Sequence, residues 1–455
     1  MKKSRVQEGS LMGILKEPVA KSVEQPEVKV EPVSGVTEGK NRLDALIAKL
    51  CSDGVEYIPL WKITVWDKKF NNVERFKQKY TKTYPYLLAN DLFSLKTSKG
   101  NVYLLSTGEE TGWTTEELAG KNICFGEVVT IPWGKTRPLK EVMKYYKGKF
   151  VTSDNRIVTS INTNVLNNKY LYYCIQSNSR DIDSYYRGSG IQHPSMKDVL
   201  DFKIPVPPLP VQEEIVRILD TFAELTAELT AELIKRKQQY QYYNNNIFKS
   251  LSYNHTLKDI LLQKGYIRGP FGSALRKDNM TPSGVPIYEQ QHAIYNHRNF
   301  RYYISKEKAS TLLRFQVNTG DLIISCSGTV GKVSIIQNDD EKGIINQALL
   351  ILRPNQKIIN VKYLRYFLHS SIGQQSILTN TTEGAQINIC SRDIFEKIKI
   401  PVPPLEEQQY IVSILDRFDT LYSDILSGLS AEIEARKKQY EYYRDKLLSF
   451  KEAGK

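Results

Sequence analysis

Glycine-rich stretches are the first places where this sequence could carry out chemistry. The stretch "SGTVGKVS" (327–334) approaches a phosphate-binding loop, but Gly328 and Gly331 are too close together for that motif, which favours a tight turn between strands. The glycines of "RGSGIQ" (187–192) follow no clear strand and open no helix, so they form no cofactor fingerprint. The sequence also lacks a methyltransferase motif of the Asn/Asp-Pro-Pro-aromatic type, a convincing nuclease carboxylate cluster and a Ser-His-Asp or Cys-His arrangement. Together these absences favour a binding protein over an enzyme.

Charge and composition indicate the kind of partner. The chain has 455 residues, of which 63 are Lys or Arg and 50 are Asp or Glu, so its net charge is +13. This excess suits an anionic partner, most simply nucleic acid, and a solvated basic surface is the alternative. The 28 tyrosines, lying beside Lys, Arg, Asn and Gln, suit contacts with phosphates and base edges, although many must belong to cores.

The cysteines indicate the compartment. No two of them are close enough in sequence to suggest a metal pair or a small disulfide framework, and the five histidines are scattered. The N-terminus lacks the compact apolar core of a secretory signal, and no apolar run is long enough to span a membrane. We therefore expect reduced thiols in a cytoplasm, with no zinc. The cysteines are Cys51, Cys124, Cys174, Cys326 and Cys390.

The elements that must position any site are organised as an internal repeat. "KIPVPPLPVQEEIVRILDTF" begins at Lys203, and "KIPVPPLEEQQYIVSILDRF" begins at Lys399. Further along, "KRKQQYQYY" (235–243) matches "ARKKQYEYY" (435–443). Between these anchors the second copy is longer by four residues, the size of one unit of the run "FAELTAELTAEL" (222–233). Four residues turn a helix through about 400°, so length can change there while the packing faces nearly hold.

Each copy of the repeat predicts one long amphipathic helix that begins at its double proline. A rod of about 40 residues would be about 60 Å long. Two such rods in one chain most simply pack on each other, and the alternative is that each packs on its own neighbouring domain. The predicted packing residues are Ile215, Leu219, Phe222, Leu225, Leu229 and Leu233 in the first helix and Ile411, Leu415, Phe418, Leu421, Ile425 and Leu429 in the second.

Two larger segments with strand-like runs and turn signals accompany the rods. Both close with a Gly–Gln element, "GSGIQH" (188–193) and "EGAQINI" (383–389), but they are otherwise dissimilar. We interpret them as two versions of one mixed α/β domain with separate binding specificities. The predicted boundaries are a disordered tail at 1–40, a first domain at 41–206, a first long helix at 207–249, a second domain at 250–402 and a second long helix at 403–452.

The paired "IPVPPL…EQ…IV.ILD.F" motifs, each ending a variable domain and opening a long helix, closely resemble the specificity subunit of Type I restriction–modification systems. The resemblance covers residues 41–452. It implies an α+β fold with a pseudo-two-fold internal repeat, in which two target recognition domains are separated and followed by helices forming an antiparallel coiled coil. Each domain would read one half of a bipartite, asymmetric DNA site with an unread spacer.

The resemblance also implies partners. The helices would dock two copies of the methyltransferase subunit, and motor and nuclease subunits would join for ATP-dependent cleavage. S-adenosylmethionine, ATP and Mg²⁺ are expected on those subunits, whereas this chain would be noncatalytic and would bind no cofactor or metal. In this family the number of four-residue helix repeats tunes the spacer. One unit adds about 6 Å of helix, or up to about two base steps of 3.4 Å. A slippage-prone DNA repeat, tolerated because it stays helical, is the alternative.

With DNA as the expected ligand, basic and amide side chains in loops facing the major groove are candidates for base contacts. Gln192 and Gln386 belong to the element that both domains share, so a structural role is the alternative for them. The candidates are Lys135, Arg137, Arg187 and Gln192 in the first domain and Arg268, Arg276, Gln290, Gln291, His292 and Lys332 in the second.

Three other hypotheses remain open from the sequence alone. A fused enzyme would carry its own methyltransferase or nuclease, which the missing motifs disfavour. A coiled-coil scaffold without DNA specificity is disfavoured by the net charge and by the two unlike domains. A silent or orphan specificity allele would have the same sequence features as an active one.

Overall fold

A computed structural model of the protein describes residues 34–106, 112–153, 156–270, 274–379, 381–382, 388–389 and 392–454. These residues fall into two units. Unit 1 comprises the chain up to Leu229 together with the chain from Ala431 onward, and unit 2 comprises Thr230–Ser430. Unit 2 is therefore continuous in sequence, whereas unit 1 is assembled from two separate stretches.

The first domain, in unit 1, has a mixed sheet. Its strands are β1 (Tyr57–Pro59), β2 (Thr64–Trp66), β3 (Tyr86–Leu87), β4 (Val102–Leu105), β5 (Trp113–Thr114), β6 (Cys124–Ile131), β7 (Lys144–Ser153), β8 (Arg156–Ser160), β9 (Tyr186–Arg187), β10 (His193–Pro194) and β11 (Lys203–Pro205). Its helices are α1 (Ser34–Leu50), α2 (Leu60–Ile63), α3 (Ala89–Ser94), α4 (Glu116–Ala119), α5 (Leu139–Val142), α6 (Asn168–Ser177), α7 (Ser179–Asp183) and α8 (Met196–Asp201).

The main sheet of this domain has the strand order β2-β8-β6-β7-β4-β5, with β3 added beside β7. β6 and β8 are rich in β-branched residues, which favour extended chain. Val129 lies opposite Val158 on β8 and Tyr145 on β7, and both pairings are antiparallel. Helix α6 packs on this sheet through Leu171. The sheet therefore provides the rigid platform from which the loops after β6 and around β9 project.

The second domain, in unit 2, has a different arrangement. Its strands are β12 (His255–Thr256), β13 (Leu261–Arg268), β14 (Met280–Thr281), β15 (Val285–Tyr288), β16 (Tyr303–Ile304), β17 (Leu322–Ser325), β18 (Val333–Ile335), β19 (Ile344–Ile345), β20 (Leu349–Pro354), β21 (Thr381–Thr382), β22 (Asn388–Ile389) and β23 (Lys399–Ile400). Helices α10 (Leu257–Ile260), α11 (Gln290–Tyr295), α12 (Lys306–Ser310), α13 (Val361–His369), α14 (Ser371–Leu378) and α15 (Arg392–Phe395) complete it, and the first long helix, α9 (Leu209–Lys249), lies between the two domains in sequence.

Two four-stranded sheets, β13-β20-β17-β18 and β14-β16-β15-β19, form this domain. The central strand β17 has the sequence "LIIS", and all four residues are buried. Leu322 and Ile324 point into one apolar cluster, which includes Phe367 of α13, whereas Ile323 packs into another with Ile351. Successive side chains of β17 point to opposite faces of the sheet, and both faces are buried. This explains why its apolar residues are not interrupted by polar ones.

The two domains close in the same way. In unit 1, β1 pairs antiparallel with β11, so Ile58 lies opposite Ile204. In unit 2, β12 pairs antiparallel with β23, so His255 lies opposite Ile400. In both units a strand at the start of the domain therefore holds the strand that leads into the long helix.

The long helices are α9 (Leu209–Lys249, 41 residues) and α16 (Leu405–Leu447, 43 residues). Within unit 1, Phe222 stacks on Tyr443 with 5.3 Å between ring centroids. Within unit 2, Tyr243 stacks on Phe418 at 5.8 Å and Tyr240 on Tyr422 at 4.3 Å. Residue numbers rise along one helix as they fall along the other, so the helices pair antiparallel. The predicted α+β fold, with two mixed domains and an antiparallel helix pair, is confirmed.

The helix ends differ slightly from the predicted boundaries. α9 begins after the double proline rather than within it, because the Pro208 carbonyl accepts the amides of Val211 (2.9 Å) and Gln212 (3.3 Å). α16 ends at Leu447 rather than at 452. Beyond it the chain pairs with the start of the first domain: the Val55 amide donates to the Lys451 carbonyl at 2.8 Å.

The segment predicted as a disordered tail is partly helical. Helix α1 begins at Ser34, inside the predicted range 1–40. Leu43 of this helix is fully buried in the core of unit 1. The prediction for residues 1–33 lies outside the described residues.

The predicted packing residues of the two long helices contact both the neighbouring domains and the other helix. Its first residues in each helix are buried in the cores of the neighbouring domains, and in unit 1 Phe222 also meets Tyr443. The helices therefore pack both on their domains and on each other, so the two alternatives hold together. Buried are Ile215, Leu219, Phe222, Ile411 and Leu415, whereas Leu225, Leu229, Leu233, Phe418 and Leu429 are half-buried.

Two of the predicted packing residues lie on an exposed side of α16. Leu421 and Ile425 are exposed, with 40% and 42% of their surface accessible. Tyr422 and Leu426 are half-buried instead, and Tyr422 stacks on Tyr240. The step from Phe418 to Tyr422 to Leu426 is four residues each time, which moves the contact face around the helix.

Candidate nucleic-acid interface and its supporting junctions

Two loops meet at one edge of the first domain. The loop after β6 carries Trp133–Arg137, and the turn between β9 and β10 carries Arg187–His193. Lys135 and Gln192 exchange backbone hydrogen bonds of 3.0 and 2.9 Å, which hold the loops together. At Gly134 an added Cβ would lie 2.7 Å from Cγ2 of Ile191, so a larger residue there would displace the exposed Ile191 side chain.

Lys135 supports these loops from inside. Its ammonium lies 2.9 Å from Oδ1 of Asp183, donates to Oε1 of Gln192 at 3.1 Å and lies 4.6 Å from the ring centre of Tyr186. Only 7% of the residue is exposed. The prediction of a base contact is therefore corrected: Lys135 is a structural residue whose charge is compensated within the domain. Gln192, half-buried, shares that role through its side-chain oxygen.

The outer side of the same loops forms an exposed surface, which we call the loop-pair surface and define by Trp133, Arg187, Ile191 and His193. Trp133 is 48% exposed, and its ring lies 4.4 Å from that of His193. Arg187 is exposed and lies directly opposite His193 in the β9–β10 pair. Arg137, the last residue of the loop after β6, is half-buried. An arginine beside an aromatic ring can contact both phosphates and base edges.

In the second domain the predicted residues separate into different roles. His292 is fully buried: Nδ1 accepts the Glu289 amide at 2.7 Å, so Nε2–H donates to the Asn299 carbonyl at 3.1 Å. Burial lowers the pKa of His292, which favours this neutral form. His292 is thus corrected from a base-contact candidate to a core residue. Gln291 donates to Oε2 of Glu289 at 3.1 Å and is half-buried.

Gln290 is brought together with the glycine-containing turn. That turn joins the antiparallel strands β17 and β18, as predicted for "SGTVGKVS". Gln290 donates through Nε2 to the carbonyls of Ser327 and Thr329, the latter at 3.0 Å. Lys332, at the end of the turn, is exposed. Arg268 is half-buried and Arg276 is exposed, and they flank residues 271–273, which lie outside the described residues.

A junction that the sequence analysis missed joins each domain to its long helix. In unit 1, Nζ of Lys169 lies 2.7 Å from Oδ2 of Asp220, and the Tyr173 hydroxyl donates to Oδ1 at 2.5 Å. Lys169 and Tyr173 lie on α6, whereas Asp220 lies on α9. Tyr440, on α16, adds a hydrogen bond of 2.6 Å to Oε1 of Gln176. Both long helices are therefore tied to α6.

Unit 2 repeats this junction. Nζ of Lys362 lies 2.8 Å from Oδ2 of Asp416, and the Tyr366 hydroxyl donates to Oδ1 at 2.8 Å. Asp419 accepts from Tyr366 at 2.9 Å and also from Tyr240 of α9. The signal was present as "NKYLYY" (168–173) and "VKYLRY" (361–366), which share the pattern Lys-Tyr-Leu-x-Tyr.

A buried glutamine completes each junction. Gln212 is fully buried: Oε1 accepts the Asn167 amide at 2.9 Å, and Nε2 donates to the carbonyls of Val165 (2.8 Å) and Pro207 (2.7 Å). Gln408 is equally buried and makes the same three contacts in unit 2, to Asn360 (2.7 Å), Ile358 (3.0 Å) and Pro403 (2.8 Å). The shared glutamine of the repeat is therefore structural, because both sides of its amide are satisfied inside the protein.

The described thiols are poorly suited to nucleophilic chemistry. Cys51, Cys124, Cys174 and Cys326 are free and buried. Burial raises the pKa of Cys124 to about 11 and that of Cys174 and Cys326 to about 12, which keeps them protonated. Cys390 lies outside the described residues. In the same ranges of chain, no group of three or more His, Cys, Asp or Glu could hold a metal ion, and no helix could cross a membrane.

Comparison with known proteins identifies the family. A sequence model of the Type I restriction modification DNA specificity domain matches residues 72–236 and 233–435. The chain is 31% identical over 415 residues to the Type I restriction enzyme EcoR124I/EcoR124II specificity subunit of Escherichia coli, which covers 87% of this chain and 94% of that protein. A protein of Haemophilus influenzae named as a type I restriction enzyme specificity subunit is 32% identical over 342 residues, covering 71% and 83%.

A solved structure supports the fold. It comes from a study of complex assembly and conformational transition in the type I R-M system, and its sequence is 17% identical. The superposition covers 87% of this chain and 97% of that chain, with a TM-score of 0.57. The chain therefore belongs to the family of Type I restriction–modification specificity subunits, which are noncatalytic.

Proposed function

We propose that this chain binds DNA sequence-specifically within a Type I restriction–modification complex. Each mixed domain reads one half of a bipartite, asymmetric site, and the spacer between the halves is unread. One observation carries this proposal: the two units repeat the same junction, at Asp220 and at Asp416, around domains whose sheets differ. Because the two domains are held in the same way but have different sheets, we expect them to bind different DNA sequences.

The loop-pair surface is the candidate reader in the first domain. It exposes Arg187, opposite His193, and Trp133, whose ring lies against His193, on loops that Lys135 and Gln192 hold together from within. In the second domain the candidates are Arg276 and Lys332, which are exposed, and Gln290, Gln291 and Arg268, which are half-buried. Most of the affinity would come from phosphates, and binding would therefore weaken steeply with salt.

Partner subunits supply the chemistry in this proposal. Two copies of the methyltransferase subunit would hold S-adenosylmethionine, and motor and nuclease subunits would hold ATP and Mg²⁺. The complex would act in the cytoplasm, on cellular and incoming DNA. Leu421 and Ile425 are exposed apolar residues suited to docking a partner, as is Ile234, which is 51% exposed.

Methylome mapping tests the proposal. The chain and its cognate methyltransferase subunit are expressed in a methylation-free host, and modified adenines are read by single-molecule sequencing. We expect a gapped, asymmetric motif that disappears when this chain is omitted. A stable complex that methylates no motif would indicate a silent allele, and failure to form any complex would favour a scaffold instead.

A further inference from the structure

The second domain contains a cavity lined by cationic side chains. Its volume is about 540 Å³, and its polar lining consists of Gln263, Lys264, Tyr266, Arg314, Arg353 and Arg392. None of the described residues that line it is acidic. Four cationic side chains around one open cavity favour an anionic ligand.

A bulge in strand β13 builds one wall of this cavity. Leu261 pairs with Pro354 and Tyr266 with Leu352, so residues 262–265 loop out opposite Arg353 alone. Within the bulge, Lys264 has φ +61°, a left-handed conformation uncommon for a residue with a side chain. At Gly265 an added Cβ would lie 2.7 Å from the Arg353 carbonyl oxygen. The bulge thus sits directly against Arg353 and brings Lys264 to the same cavity.

The four cations are not equally compensated. Arg353 forms a bidentate pair with buried Asp321, through contacts of 2.8 Å from Nε and from Nη2. Arg392 lies 2.8 Å from Oε1 of Glu396. Lys264 and Arg314 form no ion pair with any residue in the described parts of the chain. The cavity therefore has two fixed, neutralised guanidinium groups and two uncompensated positive charges.

We infer that this cavity binds a phosphate, and that its ligand is a backbone phosphodiester of DNA beside the second half-site. The inference rests on the proposed function and adds an anchoring site to it. Arg314 can donate to phosphate oxygens in a planar fork, and Lys264 adds a point charge. A phosphate contact fixes the position of the protein on the duplex and carries no sequence information.

The described part of the first domain has no equivalent of this site. In the second domain the Asn355 amide donates to the Ile260 carbonyl, and in the first domain the Ile161 amide donates to the Ile63 carbonyl in the same way, so Thr159 takes the position of Arg353. The strand that pairs there runs in continuous register, with Val65 opposite Thr159, and has no bulge. The second half-site is therefore anchored by a phosphate contact that the first lacks.

The test uses the complex of the full chain with its methyltransferase subunit. The variant Lys264→Gly/Arg314→Ala removes both uncompensated charges, and glycine at 264 retains the left-handed bulge. The control Lys306→Ala/Lys342→Ala removes the same charge from exposed lysines of this domain that do not line the cavity. DNA affinity is measured over a range of salt concentrations, and the methylated motif is mapped.

For the cavity variant we expect the slope of log K against log salt to become shallower by about 1, with equal weakening on cognate and unrelated DNA. The control keeps the wild-type slope, and the methylated motif is unchanged in both. A wild-type slope in the cavity variant, an equal change in the control or an altered motif would each overturn the inference. If the wild-type complex neither binds DNA nor methylates a motif, the proposed function itself has failed.

A thermal-shift titration with inorganic phosphate, at constant ionic strength, separates a DNA site from a free-phosphate site. Stabilisation of the wild type that the cavity variant lacks supports phosphate recognition by the cavity. The same result combined with an unchanged DNA slope would make the cavity a site for free phosphate and overturn the DNA assignment.

Discussion

The hydroxyl of Tyr173 donates a 2.5 Å hydrogen bond to Asp220, and this contact joins α6, which packs on the sheet of the first domain, to α9. Tyr366 and Asp416 repeat it in unit 2 at 2.8 Å. We expect Tyr173→Phe to lower the free energy of unfolding by about 1.5–3 kcal/mol, because the acceptor is a partly buried carboxylate. Urea denaturation measures this loss. Tyr86→Phe, at a position that is 60% exposed, is the control and should change stability little.

Deletion of one "TAEL" unit, residues 226–229, tests how helix length sets the spacer. The junction residues Asp220 and Tyr240 both lie outside the deletion, so each unit keeps its own contacts. The helix shortens by about 6 Å, and we expect the methylated motif to keep its bases while its gap shrinks by one or two base pairs.

The control deletes only residues 227–228. Two residues turn the helix through about 200°, which places the later apolar residues on the opposite face. We expect this shorter deletion to abolish assembly, although it removes less of the helix. An unchanged gap after the four-residue deletion would contradict the role of the repeat.

Arg187→Ala tests the loop-pair surface. If Arg187 contacts a base, DNA binding weakens by about 1–3 kcal/mol and one position of the first half-site becomes degenerate. The second half-site keeps its bases, which the methylome shows in the same experiment. Arg180→Ala, at an exposed position on α7, is the matched control and should leave the motif intact. A uniform loss of affinity without degeneracy would assign Arg187 to a phosphate instead.

His292 predicts a dependence of stability on pH. Burial lowers its pKa in the folded protein, so below the unfolded value of about 6.5 the unfolded chain binds the proton more readily. The stability contributed by neutral His292 is therefore fully present above about pH 6.5 and is lost as the pH falls below it.

We expect His292→Gln, which cannot titrate, to show a shallower loss of unfolding free energy between about pH 7 and pH 5 than the wild type. Denaturant midpoints at each pH provide the measurement. A comparison at about pH 8, where the wild-type histidine is neutral, isolates the change in packing alone. Parallel curves for the two proteins would show that another group controls the acid sensitivity.

The long helices were predictable because their signal is local and repeated. Double prolines mark their starts, and apolar residues at steps of three and four mark their packing faces. The same rule could not separate Leu421 from Tyr422, since both lie within such steps and only the aromatic partner Tyr240 distinguishes them.

The candidate site was less predictable. Lys135 and His292 have side chains typical of base contacts, yet both are buried. Their hydrogen-bonding and charged partners could not be identified from the sequence. Asp183, on α7, pairs with Lys135 of the loop after β6, and the Asn299 carbonyl accepts from His292. The cationic bulge at Lys264 also has no sequence signal, since it depends on the register between β13 and β20.

The division of unit 1 into two stretches of chain has a consequence for synthesis on the ribosome. The core of this unit includes Leu447 and Leu448, which are translated after all of unit 2. Unit 2 is one continuous stretch and can complete its core as soon as Ser430 has emerged. The first domain is therefore translated first but completes its folding last, and part of its apolar core stays exposed to solvent until the C-terminal residues have been synthesised.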